Sequence, residues 1–140
     1  MREILFRGKL TSTGEWSEGN LVIDKRGVCI ITPDETPIGK YGQVIPETVG
    51  QYIGLTDKSG KKIFEGDILQ YFDNEIQVVE WYEEFSNLML HTYGEEEHKK
   101  GRNVVKEKFD GWNWLHDYPL DEMPIIGNIH DNPELITQEA

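Results

Sequence analysis

YIGLTDKSGKKIFEGDILQY, the stretch from Tyr52 to Tyr71, decides the fold of this chain. Two apolar runs, 52–56 and 62–64, flank Asp57-Lys58-Ser59-Gly60. An aspartate starts a tight turn through its side chain and a glycine accepts left-handed backbone, so the pattern predicts a β-hairpin. Gly66-Asp67 then predicts a bend or bulge that enters a further strand with apolar groups on both faces.

The same turn chemistry occurs earlier in the chain. Asp24-Lys25-Arg26-Gly27 separates the apolar runs 21–23 and 28–31, which predicts a second hairpin. Cys29, the single cysteine, lies in one of these runs, so we expect it to be a small buried hydrophobe without a disulfide partner. Further strand patterns occupy residues 4–6, 76–82, 88–93 and 125–129.

No window shows sustained helical periodicity, so the predicted class is mainly β. The charged stretch 95–103 indicates either a solvated loop or a mobile hairpin tip. Residues 104–114 are compatible with a strand or a short helix. Asn132 and Pro133 suit the cap and first position of a short C-terminal helical turn.

Charge and hydropathy limit the partners that the chain can have. Asp and Glu number 26 against 14 Lys and Arg, giving a net charge of −12. The mean field of such a chain repels phosphates, so nucleic-acid binding is a minority interpretation. No segment approaches the roughly 18 apolar residues of a membrane span, and the N-terminal apolar run is too short for a signal peptide. We expect a cytoplasmic protein.

Four stretches resemble the YopX family: Gln51–Ile68, Arg2–Arg7, Val78–Trp81 and Ile126–Leu135. The resemblance implies a phage or prophage origin, the cytoplasm of a bacterial host, and a β-rich fold with a small SH3-like barrel. It implies no activity and supplies no catalytic residue.

On this basis we expect two parts. Residues 1–50 form an N-terminal β subdomain. Residues 51–140 form the SH3-like β-barrel, with a charged insertion near 94–124 and the short C-terminal helical turn. We expect the two parts to form one compact unit.

Candidate chemistry is sparse. His91, His98, His116 and His130 are well separated and form no ligand pair at short spacing. No serine lies in a nucleophile-elbow motif, and no glycine-rich phosphate loop is present. We therefore expect no catalytic residue, no cofactor and no metal site.

The residues singled out by the resemblance have structural interpretations. Asp67 is expected to accept backbone N–H groups at the bend, and Glu65 to pair with Lys61 or Lys62 across the hairpin. The predicted structural motif consists of Gly54, Asp57, Gly60, Glu65, Gly66, Asp67, Gly127, Asn128 and Pro133.

The large aromatic side chains exceed what a small core needs. Some of them are therefore expected to form an oligomer interface or an exposed binding groove, and we favour the interface because edge strands also need cover. The predicted interface consists of Trp81, Tyr82, Trp112, Trp114 and Tyr118.

These observations predict a non-enzymatic binding or assembly module that self-associates or binds a host or phage protein. One alternative is an acidic decoy that binds a host nucleic-acid-binding protein. Another is direct nucleic-acid binding on the barrel face. That would use Arg2, Arg7, Lys9, Lys25 and Arg26, or Lys58, Lys61 and Lys62.

Overall fold

The computed structural model describes residues 2–136 and divides the chain into two units, the first ending at Gly54 and the second beginning at Leu55. The sequence predicts a division between residues 50 and 51. In chain order, the strands are β1 (Phe6–Lys9), β2 (Trp16–Asp24), β3 (Gly27–Thr32), β4 (Lys40–Gln43), β5 (Gly50–Thr56), β6 (Lys62–Phe64), β7 (Asp67–Tyr71), β8 (Glu75–Tyr82), β9 (Asn87–Lys100), β10 (Asn103–Asn113) and β11 (Ile125–Asn128).

Helical structure is confined to short 3-10 turns. In the described range they are Pro46–Thr48, Glu83–Phe85, Leu115–Asp117, Leu120–Glu122 and Pro133–Leu135. The prediction of a mainly β fold is confirmed. Across residues 2–136, no helix has the length and apolar character that crossing a membrane requires.

The first unit is an antiparallel sheet with the order β4-β3-β2-β1-β5. The predicted hairpin between β2 and β3 is confirmed, and it closes at the pair Asp24 and Gly27. Asp24 Oδ1 accepts the backbone N–H of Arg26 at 2.8 Å, and Gly27 has a φ of 103°. Cys29 is fully buried in this sheet, as predicted.

The hairpin predicted from the opening stretch is also confirmed. β5 is followed by a turn in which the Asp57 N–H donates to the Lys61 carbonyl at 2.8 Å, and β6 is the next strand in the sheet order. Gly60 has a φ of 85°, the left-handed conformation for which the turn needs glycine.

The second unit contains an antiparallel sheet with the order β10-β9-β8-β7-β11. β8 pairs with β9 only up to Gly94, whereas β9 and β10 continue pairing to Lys100 and Asn103. Residues 95–108 therefore extend past β8 as a two-stranded arm. The interpretation of residues 95–103 as a solvated loop is therefore wrong. Of the two interpretations of residues 104–114, the strand is confirmed and the short helix is wrong.

The sheet of the second unit is covered on both faces near β7 and β8, as predicted for β7. On one face Ile68, Ile76 and Val78 form a cluster. Partly buried side chains pack on this cluster, namely Tyr93, Ile129, Leu135 and Ile136. On the other face Val79 and Leu90 are fully buried as direct cross-strand neighbours.

Two finer expectations have different outcomes. Within residues 2–136 neither sheet closes on itself, so the SH3-like barrel is not confirmed. The C-terminal helical turn is present at Pro133–Leu135, but Asn132 makes no side-chain cap bond to it. Its Oδ1 instead accepts the Asn128 N–H at 3.2 Å, within the tight turn that precedes the helical turn.

Candidate functional site

The predicted structural motif lies where the turn after β5 meets β11. Asp57 is 4% exposed, and its Oδ1 accepts the N–H groups of Ser59 and Lys61 at 2.9 and 2.8 Å. Its Oδ2 accepts the Ile125 N–H at 2.9 Å. Burial alone would raise the pKa of Asp57, but these hydrogen bonds favour the charged form and hold the pKa below its ordinary value.

Gly66 and Asp67 complete this junction. The Gly66 N–H donates to the Val79 carbonyl at 2.7 Å, and the Gly66 carbonyl accepts the Ile129 N–H at 2.9 Å. Gly66 has a φ of 95°, which only glycine adopts without strain. Asp67 is buried, and its Oδ2 accepts the Phe64 N–H at 2.8 Å.

The other motif residues also shape backbone. Gly54 has a φ of 90° within β5. Asn128 Oδ1 accepts the N–H groups of His130 and Asp131 at 3.0 and 2.9 Å. A Cβ on Gly127 would lie 2.5 Å from Asn132 Oδ1, and Pro133 opens the last 3-10 turn. These contacts build the fold and present no reactive group at the surface.

A row of stacked rings crosses the second unit on a different part of the sheet. The rings of Phe85 and Trp114 stack at 5.3 Å, and those of Tyr82 and Trp112 stack at 4.6 Å. Trp112 also stacks on His91 at 4.2 Å, while Phe85 meets Tyr82 edge-on at 5.2 Å. We name these five residues the aromatic strip.

Strand register places the strip. His91 of β9 is directly opposite Val78 of β8 and Trp112 of β10, so the three side chains share one face. Tyr82 lies on the same face because it is four residues after Val78 in β8. The Glu83–Phe85 turn then returns the chain beneath the ring of Trp114.

His91 is held at one end of the strip by hydrogen bonds. Its Nδ1–H donates to Glu80 Oε2 at 2.7 Å, because a carboxylate can only accept. The Tyr93 hydroxyl lies 2.9 Å from the same nitrogen, and Asp110 Oδ2 lies 3.9 Å from Nε2. Burial, with the nearby charges of Glu80 and Asp110, raises the pKa of Tyr93 to about 12.

Charge is unevenly distributed around the strip. The segments 63–94 and 109–136 contain thirteen acidic residues and no lysine or arginine. The arm, by contrast, contains five cations and four glutamates, namely Lys99, Lys100, Arg102, Lys106 and Lys108 with Glu95, Glu96, Glu97 and Glu107. The strip is therefore an aromatic surface in an acidic part of the chain.

The structure brings together three of the five predicted interface residues. Tyr82, Trp112 and Trp114 belong to the strip. Trp81 is 48% exposed but lies on the other face of the sheet, since it is adjacent to Tyr82 in β8. Tyr118 packs edge-on against Tyr71 at 4.8 Å and does not join the strip.

The sequence interpretation missed His91 and its partners. Their alternation with the apolar residues of β9 was visible, but only the register between β8, β9 and β10 joins them to the tryptophans. Among the remaining histidines, His116 lies beside the strip, with its ring parallel to that of Trp114 at 6.3 Å. Within residues 2–136, no three side chains of the His, Cys, Asp and Glu types converge as metal ligands.

Three of the cations proposed for nucleic-acid binding make contacts within their own unit. Arg7 and Lys9 lie over the Trp16 ring at 4.5 and 5.6 Å. Arg26 stacks on Tyr41 at 3.6 Å and pairs with Asp24 at 2.8 Å.

Comparison with known proteins identifies a family and similar solved structures. Residues 6–137 match the family model described as YopX protein. The chain is also similar to a crystal structure of protein EF1440 from Enterococcus faecalis, with 26% sequence identity and a TM-score of 0.49. The similarity covers 96% of this chain and 99% of that one. Among curated proteins, no significant match is found.

Proposed function

This chain belongs to the YopX family, and we propose that it is a non-enzymatic binding module whose aromatic strip binds a basic segment of a protein partner. One observation carries the proposal. Stacked rings remain partly exposed, and all five residues of the strip come from two segments, 63–94 and 109–136, that contain thirteen acidic residues and no lysine or arginine.

The chemistry of the strip fits a cationic side chain. Guanidinium and ammonium groups are attracted to the faces of tryptophan and tyrosine rings, and guanidinium also stacks on them. Phe85 and Trp114 are 54% and 39% exposed, so their outer faces are accessible to such a group. Carboxylates around the rings add a complementary field that favours basic partners.

The contacts of His91 suit a binding surface. His91 is fixed by Glu80 at 2.7 Å and covered by Trp112 at 4.2 Å, and this arrangement orients the rings. The phage or prophage origin implied by the resemblance would make the protein an accessory factor in the cytoplasm of its bacterial host. We propose both the lack of enzymatic activity and the cytoplasmic location.

An octa-arginine peptide tests the proposed binding. Isothermal titration calorimetry should detect binding to the intact chain and no binding of an octa-glutamate peptide. Trp114→Ala removes an exposed ring of the strip and should weaken octa-arginine binding about fivefold to tenfold, as expected for the loss of one stacked contact worth roughly 1 kcal/mol.

Trp81→Ala is the matched control, because Trp81 is an exposed tryptophan on the opposite face of the same sheet. It should leave the affinity unchanged. Equal affinities for the intact chain and Trp114→Ala would mean that the peptide is attracted by net charge alone, and the proposal would then be wrong.

The acidic decoy is a second candidate, favoured by the same thirteen acidic residues. Such a decoy would displace DNA from a basic DNA-binding protein, which a fluorescence anisotropy competition measures. Within the arm, however, Glu97 and Glu95 are directly opposite Lys106 and Lys108, which breaks any stripe of carboxylates there. Direct nucleic-acid binding depends on an SH3-like barrel face, which stays a prediction.

A further inference from the structure

We infer that the segment bound next to the strip is the arm of a second copy of this chain, which contributes Lys106 and Lys108, with the two β10 strands pairing antiparallel about a two-fold axis at Phe109. The inference rests on the proposed function, because it names the partner of the same surface. It makes a specific claim about register that the proposed function does not contain.

β10 is an open edge. Within the described residues it pairs with β9 alone, and it is eleven residues long. Most of its residues from Asn103 to Asp110 are exposed. Long edges with unpaired backbone groups are usually shortened, bulged or covered, since they otherwise accept a further strand.

The arm, which consists of the last residues of β9 and the first residues of β10, would gain the most stability from a third strand. Residues 95–108 extend beyond β8 and are held mainly by the pairing between β9 and β10, with two hydrogen bonds between Asn74 and Glu95 at the base of the arm. A two-stranded ribbon is marginally stable in water on its own. A strand added along β10 turns this ribbon into a three-stranded sheet.

Charge decides which strand fits there. In a two-fold pairing centred on Phe109, residues whose numbers sum to 218 lie opposite each other on the same face. Lys108 then faces Asp110 of the second copy, and Lys106 faces Trp112 of the second copy. Each of these contacts occurs twice, because a two-fold interface repeats every pair.

Neighbouring registers are worse. Centring the pairing on Lys108, Glu107 or Asp110 places each of these residues opposite itself, and like charges directly opposite are destabilising. Centring it on Gly111 forms no ion pair. The lysines of β10 thus discourage most pairings while favouring one.

The position of Trp112 connects this edge with the strip. Its ring stacks on His91 and Tyr82 at 4.2 and 4.6 Å, so Lys106 of the second copy would reach the border of the strip. The β10 lysines of each arm would lie along the acidic part of the other copy. In this arrangement, lysines of one copy lie opposite acidic residues of the other copy. Within a single copy, these lysines and most of the acidic residues lie in different segments of the chain.

Charge exchange at the predicted pair tests the inference. The intact chain should be a dimer by sedimentation equilibrium at about 100 μM, a concentration that detects Kd values in the micromolar range. Lys108→Asp and Asp110→Lys each create two like-charge pairs and should raise the dimer Kd at least about tenfold. The double variant restores opposite charges and should return the Kd to within about threefold of the intact chain.

A covalent readout checks the register. With diamide as oxidant, Phe109→Cys should form a disulfide-linked dimer, since the two sulfurs lie opposite each other at the axis. Lys100→Cys, near the tip of the arm, is the matched control and should not cross-link at the same rate. Circular dichroism of every variant checks that the fold is retained.

The inference is wrong if the intact chain is a monomer at 100 μM, if the double variant fails to recover, or if Lys100→Cys cross-links as fast as Phe109→Cys. A monomer that still binds octa-arginine through Trp114 would contradict the inference and leave the proposed function standing. If the charge-exchange variants change dimerisation as expected but octa-arginine binding does not depend on Trp114, the dimer register would stand and the proposed function would be wrong.

Discussion

Asp57 Oδ2 accepts the backbone N–H of Ile125 at 2.9 Å, although the two residues are 68 positions apart in sequence. The other oxygen of the same carboxylate accepts N–H groups from Ser59 and Lys61. One buried side chain therefore closes its own turn and also attaches β11 to it.

Asp57→Asn should destabilise the chain by about 1–3 kcal/mol, because an amide offers one acceptor oxygen and leaves a buried N–H group without a partner. Urea unfolding followed by tryptophan fluorescence measures this loss. Asp24→Asn, in the other Asp-Lys-x-Gly turn, should cost less since Asp24 lies at the surface. Equal losses for the two variants would contradict the importance of the Ile125 bond.

Acid should weaken the same junction. The pKa of Asp57 in the folded chain lies below its ordinary value of 3.8, so the ionised carboxylate stabilises the fold above that pH. This contribution is lost as the pH falls through the lowered folded pKa. The difference in unfolding free energy between the intact chain and Asp57→Asn should therefore narrow between about pH 5 and pH 2. A constant difference over that range would refute the assignment.

Alkali should act on Tyr93, whose hydroxyl lies 2.9 Å from His91 Nδ1. The pKa of Tyr93 is raised from 10.0 to about 12 by burial and by the charges of Glu80 and Asp110. A raised folded pKa means that stability is fully present below pH 10 and falls as the pH rises toward about 12. Tyr93→Phe should reduce this alkaline loss in urea unfolding. A phenolate absorbance titration that gives six transitions near pH 10 would contradict the shift.

Two strand glycines should respond differently to substitution. A Cβ on Gly94 would lie 2.3 Å from the Phe109 ring, which covers it across the β9–β10 pairing, whereas a Cβ on Gly111 meets nothing within 4 Å. Gly94→Ala should cost about 1–2 kcal/mol through displacement of that ring. Gly111→Ala should be neutral or stabilising in thermal unfolding, because alanine suits a strand better. The reverse order would disprove the packing of Phe109.

Local chemistry was sufficient to predict the turns and most strands. Asp24 with Gly27, and Asp57 with Gly60, form tight turns because the side-chain acceptor and the permissive backbone act within four residues. The buried strands β7 and β8 followed from their apolar residues in the same way. Turns and strands of this kind can be predicted from sequence because residues that are close together in the chain determine them.

The arm and the aromatic strip depend on contacts that sequence patterns do not express. Residues 95–108 are exposed on both faces in most positions, so they lack the alternation that indicates a strand, and the ladder from Val104–Lys99 to Lys108–Glu95 holds them together instead. The strip needs the register of three strands. A shift of one residue in β10 would move Trp112 to the opposite face.

β7 obtains its outer neighbour, β11, only when Ile125–Asn128 has been synthesised. During translation the apolar edge formed by Ile68 and Leu69 is therefore without that neighbour for most of the time that the second unit takes to emerge from the ribosome. Folding of this sheet is consequently completed late in synthesis. A chain truncated before Ile125 would keep this edge without its neighbour and would be prone to aggregation.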